Sequence, residues 1–161
     1  MKPQTTTFAA GCFWGTQEAF RKVKGVLSTR VGYAGGNTKD PSYTKVSTGT
    51  TGHAESVEIK FDPEKISYIE LLEIFFKIHD PTTLNRQGPD VGSQYRSIIF
   101  YHNKKQKKLA EKSKLEKQKD YEEEIVTEIV PASVFYPAEE YHQKYIMKNS
   151  GHSCNLYRNF L

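Results

Sequence analysis

At 161 residues, with 37% hydrophobic and 12% aromatic residues, the chain is sized for one domain with a real core and excludes a disordered polymer. Its formal net charge of +4 is mild and local in origin. No run of about 18 apolar residues occurs, so no membrane span is expected; MKPQTTTF lacks the apolar stretch of a secretory signal, which makes the cytoplasm the expected location.

Residues 5–10 read as a strand running into Cys12. Phe13, Ala19, Phe20 and Val23 then recur at helical spacing over 13–24, and Gly25 is a natural stop. VLSTRVGYAGG is a strand ending in a glycine turn, and the Gly, Ser, Thr and Asn of 35–53 predict a long loop. Loops of that length in a compact domain often carry function. HAESVEIKFDP alternates, with Val57, Ile59 and Phe61 on one face; Glu55 shares their parity. SYIELLEIFFKIHD predicts a helix with Ile69, Leu72, Phe76 and His79 on its stripe and Ser67 as N-cap, ended by Asp80-Pro81.

Residues 81–95 form a second long loop with Pro and Gly near both ends. SIIFYH is a strand, and 103–120 is a helix holding eight lysines with a thin stripe of Leu109, Ala110 and Leu115. EEIVTEIV is a further strand closed by Pro131, VFYP is extended, and 138–148 is a last short helix. The tail after it has turn character. This order predicts an α+β fold: a single-domain two-layer sandwich related to the βαββαβ plait, with a mixed or antiparallel sheet. One catalytic domain over 1–161 is expected, with a flexible tail from about 149 that carries the second cysteine.

The chain has two cysteines, Cys12 and Cys154, in neither CxxC nor zinc-ligand spacing. Cys12 sits where a helix begins, and the unpaired N–H groups and macrodipole there favour a thiolate. It is either a nucleophile or a small residue packing a corner already built by Gly11 and Phe13. Phe13 and Trp14 are core residues or the walls of an apolar pocket mouth. Glu55, if desolvated on the apolar face, would hold a proton near neutral pH and serve as an acid; at an exposed strand end it would not. Tyr43 and Tyr95, one in each long loop, are able to donate to the same oxygen.

Four blocks, GCFWG at 11–15, GHAE at 52–55, GPDVGSQYRS at 88–97 and EEYHQKY at 139–145, resemble peptide methionine sulfoxide reductase, class A, in family order. The resemblance implies Cys12 as nucleophile, Phe13 and Trp14 as the pocket for the sulfoxide methyl, and Glu55 as acid. It assigns Tyr43, Tyr95 and Asp90 to holding the oxygen, with His53 in support. It implies reduction of the S-epimer of methionine sulfoxide, free or in proteins, through a sulfenic acid and then a disulfide. Cys154, the one other thiol, would resolve it, and thioredoxin or another dithiol would reduce the product. No cofactor or metal is implied, no nucleic-acid or membrane partner, and a monomer is expected. Many family members read Gly-Tyr-Cys where this chain has GHSC, so any contact from that tyrosine is absent or passes to His152. Two other classes remain: a cysteine hydrolase pairing Cys12 with a histidine base, and a basic binding module acting through 103–120.

Overall fold

The computed structural model describes residues 2–149. The chain runs through β1 (Gln4–Ala10), α1 (Phe13–Arg21), β2 (Val26–Ala34), a short α2 (Tyr43–Ser47), β3 (Ala54–Phe61) and α3 (Tyr68–Lys77). Two-residue strands β4 (Arg86–Gln87) and β5 (Asp90–Val91) and a 3-10 turn at Ser93–Tyr95 lead into β6 (Ser97–Tyr101) and α4 (Lys104–Gln118). Then come β7 (Glu128–Pro131), β8 (Tyr136–Pro137), a 3-10 turn at Glu140–His142 and α5 (Tyr145–Lys148).

One six-stranded sheet has the order β7-β6-β1-β3-β2-β8. Its inner strands, β6-β1-β3-β2, are all antiparallel and make the expected βαββαβ plait, with β1 and β3 in the centre. Parallel pairing of β7 on β6 makes the sheet mixed, and β8 extends the other edge against β2. The fold is therefore the α+β arrangement anticipated from the order of elements.

Alternation sorts the strands onto two unequal faces. Phe8, Val31, Val57, Ile59, Phe61 and Ile99 join Phe20, Leu71, Leu72, Phe75 and Ala110 from the helices in the main core. The opposite face carries small residues, Ala9, Ala34 and Ala54, beside Ile98 and Phe100, and among the described residues the stretch around Ala132 and Phe135 packs on it. The helices thus lie on one side, and a thin strap closes the other.

Ser67 starts α3 as expected, and a capping box forms: its hydroxyl accepts from Glu70 N at 3.1 Å, while Glu70 Oε1 accepts from Ser67 N at 3.3 Å. The buried face of α3 is Tyr68, Leu71, Leu72, Phe75 and Phe76; Ile69, expected on the stripe, is 50% exposed. On α4 the buried residues are Gln106, Ala110 and Ser113, and Leu115 lies outside at 73% exposure. Gln106 sets that rotation, because its amide accepts from His102 N and donates to Thr5 O.

Three further expectations change. The loop 35–53 contains α2, started by Ser42, whose hydroxyl accepts from Lys45 N. The strand read over 123–130 begins only at Glu128. Before it, Ile125 N donates to the Gln118 side chain and Val126 N to Pro81 O, so neither is available to a ladder. The helix read over 138–148 is instead a 3-10 turn, then Lys144 at φ 54°, then a single helical turn.

The segment 138–144 is stitched along the outer edge of β2. Ala138 N donates to Val31 O, and the Gln143 side chain both accepts from Val31 N at 3.0 Å and donates to Val31 O at 2.9 Å. An amide side chain has taken the place of a strand residue. Gln17 of α1 completes the seam by accepting from Lys144 N and donating to Thr29 O.

Candidate active site

Gly11, at φ 91°, turns the chain sharply from β1 into α1, a conformation that a side chain would strain. Cys12 follows at the N-cap position, half-buried, with its carbonyl accepting from Thr16 N at 3.4 Å. Its thiol therefore stands at the positive end of a nine-residue helix. Phe13 is buried behind it, and Trp14 is half-buried.

Glu55 does fall on the buried parity of β3; it is 2% exposed and lies directly across from Tyr33 of β2. Its Oε1 accepts from the backbone N–H of Phe13 at 3.1 Å. That hydrogen bond places a buried carboxyl beside the residue that follows Cys12.

The two long loops bring the tyrosines. Tyr43 opens α2, and Tyr95 ends the 3-10 turn that packs against β3. Burial pushes the Tyr95 phenol up, and the neighbouring acidic groups Glu55, Tyr43, Asp90 and Cys12 push it further. Tyr43 is raised by burial and then by Glu55, with a smaller push from Cys12. The two phenols, Glu55 and Cys12 therefore share one electrostatic environment, and both phenols stay protonated donors at neutral pH. Asp90, at the start of β5, is half-buried and raised by burial.

His53 acts on the loop. Its Nδ1 accepts from Gly36 N at 3.0 Å, so Nε2 carries the proton donated to Thr38 O at 2.7 Å. A Cβ on Gly36 would collide with the backbone of Thr51 to His53, so only glycine lets the two loop limbs meet. Arg96 pins the other side, donating to Gly52 O, Ser93 O and the Glu128 carboxylate.

Residues that sequence reasoning missed arrive on the seam along β2. His142, 1% exposed, accepts from Trp14 Nε1 through Nδ1 at 2.8 Å, and its ring lies 4.5 Å from Tyr43 and 5.2 Å from Phe13. Its proton is thus on Nε2, which is buried and has no hydrogen-bond partner among the described residues. Trp14 also stacks on Tyr145, with ring centroids 3.9 Å apart and 10° between planes. Glu139 accepts from the Tyr33 hydroxyl at 2.9 Å and from Tyr43 N at 3.0 Å. Burial alone would raise Glu139, but the Tyr43 N–H, its own N–H and the Tyr33 hydroxyl outweigh it and hold the carboxyl below the ordinary range. EEYHQKY carried these residues in the sequence, yet nothing in its periodicity singled out Glu139 or His142.

Cys154 and His152 lie outside the described residues. Among the described residues, no group of three His, Cys, Asp or Glu side chains is placed to hold a metal ion, and no helix is long and apolar enough to cross a membrane.

A thiol at a helix start, a buried carboxyl bonded beside it and an aromatic wall are groups that a thiol-dependent oxidoreductase requires, and here a plait brings them together. The family model described as peptide methionine sulfoxide reductase matches residues 4–160, and the chain belongs to that family. Peptide methionine sulfoxide reductase MsrA of Methanothermobacter thermautotrophicus is 57% identical over 157 residues, covering 96% of this chain and 93% of that one. The crystal structure of reduced Mxr1 from Saccharomyces cerevisiae superposes with a TM-score of 0.91 at 42% identity, covering 96% of this chain and 91% of Mxr1. Mxr1 in complex with Trx2 is similar at a TM-score of 0.65 and 32% identity, covering 89% and 85%.

Proposed function

We propose that this enzyme reduces the S-epimer of methionine sulfoxide, free or in proteins, with Cys12 as nucleophile and Glu55 as acid, and so repairs oxidised proteins. The observation that carries the reading is the buried Glu55 carboxyl bonded to Phe13 N, one residue from Cys12. The substrate methyl packs against Phe13 and Trp14, a preference of about 0.8 kcal/mol per CH₂ buried. Tyr43 and Tyr95 donate to the sulfoxide oxygen, with Asp90 beside Tyr95.

The Cys12 thiolate attacks the sulfoxide sulfur while the proton of Glu55 passes to the oxygen. With a second proton from solvent the oxygen departs as water, leaving Cys12 bonded to the substrate sulfur. A water then adds to the Cys12 sulfur, and that sulfur–sulfur bond breaks with its electron pair going to methionine. One proton returns to solvent, and Cys12 is left as sulfenic acid. The Cys154 thiol then condenses with it, releasing water and forming a disulfide. An external dithiol reopens the disulfide, and the similarity to a relative solved with a thioredoxin supports thioredoxin in that role. One domain suffices for the chemistry, with the segment after 149 delivering the second thiol in a monomer acting in the cytoplasm.

The test is one turnover with methionine S-sulfoxide and no reductant, followed by peptide mass spectrometry. One equivalent of methionine and a Cys12–Cys154 link, two hydrogens lighter, are expected. Recovery of both thiols unchanged, with no methionine formed, would overturn the reading.

A further inference from the structure

Two carboxyl groups, Glu55 and Glu139, approach the aromatic side of the site. Glu55 is enclosed, whereas Glu139 is held ionised by donors on both its oxygens. We propose that Glu139 is a positioning residue for the reduction step, its two oxygens holding the Tyr43 backbone and the Tyr33 ring in fixed relation to Glu55. The inference rests on the reading above that the Tyr43 hydroxyl holds the sulfoxide oxygen.

Tyr43 starts a helix of five residues inside a stretch rich in Gly, Ser and Thr. So short a helix does not sustain itself, because fixing its first turn costs more than its few bonds return. Its start is anchored from 96 positions away by the bond from Tyr43 N to Glu139 Oε2. The other oxygen takes the hydroxyl of Tyr33, which sits across from Glu55 in the strand register and packs on Phe13 at 5.7 Å. Glu139 therefore joins the loop that carries one oxygen donor to the strand pair that carries the acid.

A phenol displaced by an ångström donates poorly to an oxygen on which charge is developing. Loss of the anchor should then slow the chemical step more than it weakens binding. The effect must also vanish once the Tyr43 hydroxyl is gone, since a ring with no donor gains nothing from being held. A purely structural carboxylate would show no such dependence.

The experiment is a double-mutant cycle on single-turnover reduction of methionine S-sulfoxide. Tyr43→Phe alone is expected to slow the rate at saturating substrate. Glu139→Ala is expected to lower that rate about tenfold with less than about twofold change in half-saturating concentration, and to cost under about twofold in the Tyr43→Phe background. Glu139→Gln keeps one acceptor oxygen and maintains the test if the alanine variant does not fold; it should lose about threefold, again only when the Tyr43 hydroxyl is present. Equal losses in both backgrounds, or no loss in either, would overturn the role of Glu139 while leaving Tyr43 as an oxygen donor. An unchanged rate in Tyr43→Phe alone would remove that donor, and this inference with it.

Discussion

The main-chain N–H of Phe13 donates to Oε1 of Glu55 over 3.1 Å, and this bond couples the helix that begins beside Cys12 to a buried side chain of the central strand β3. A glutamine at 55 would still offer an oxygen to Phe13 N but would have no acidic proton. Glu55→Gln should therefore keep the site's shape and lose its chemistry. We expect the single-turnover rate at pH 7 to fall by about a hundredfold, with the half-saturating concentration nearly constant. Rapid-quench measurement of methionine release checks this, and an unchanged rate would remove Glu55 as the acid.

The two cysteines should separate cleanly in kinetics. Cys12→Ser is expected to release no methionine under any reductant. Cys154→Ser should release one equivalent and then stall with thioredoxin as reductant, because the sulfenic acid has no internal thiol to meet. Continued cycling of that variant with thioredoxin would show that another route resolves Cys12.

Trp14→Phe should destabilise the fold as well as alter the pocket. The indole N–H is the partner of His142 Nδ1, whose other nitrogen is buried without one among the described residues. Phenylalanine would leave a second orphaned atom at a cost of about 1–3 kcal/mol, and would weaken the stacking on Tyr145. Urea unfolding of the two proteins measures the difference; equal midpoints would contradict it.

His79 should make stability depend on pH. Burial lowers its imidazole from the ordinary 6.5 to about 4, and both nitrogens are bonded: Nδ1 to Phe75 O at 2.7 Å and Nε2 to Ser97 Oγ at 2.8 Å. With Nδ1 donating to a carbonyl, Nε2 accepts from Ser97, which in turn accepts from Thr127 at 2.8 Å. Between pH 6.5 and 4 the unfolded chain takes up a proton that the native chain refuses. Stability is thus full above 6.5 and falls as the pH drops, by about 3 kcal/mol once pH 4 is reached. The pH dependence of urea unfolding should flatten over this window in His79→Gln; identical slopes would refute the assignment.

Much of this architecture was readable where a local rule acts alone. The parity of Glu55 in an alternating strand put its carboxyl on the core face, and Ser67 marked a helix start, where the structure adds a capping box with Glu70. Reading failed where a distant partner decides. α2 hides in a loop-like composition because part of its anchor is Glu139, and β7 is shortened because the residues before it bond elsewhere. The stripe on α4 misled because Gln106, reaching back to Thr5, turns Leu115 outward. His142 reaches the site through a 3-10 turn followed by a left-handed Lys144, which no helical or strand period describes.

The Gln143 amide occupies both main-chain groups of Val31, closing an edge on which a foreign strand would otherwise find a template. Its Nε2 also donates to Ala138 O. Slow hydrolysis of that amide to a carboxylate would leave a negative group facing two carbonyl oxygens, unzipping the border from within. A molecule that mends one lesion of ageing proteins thus keeps its own margin sealed by a bond exposed to another.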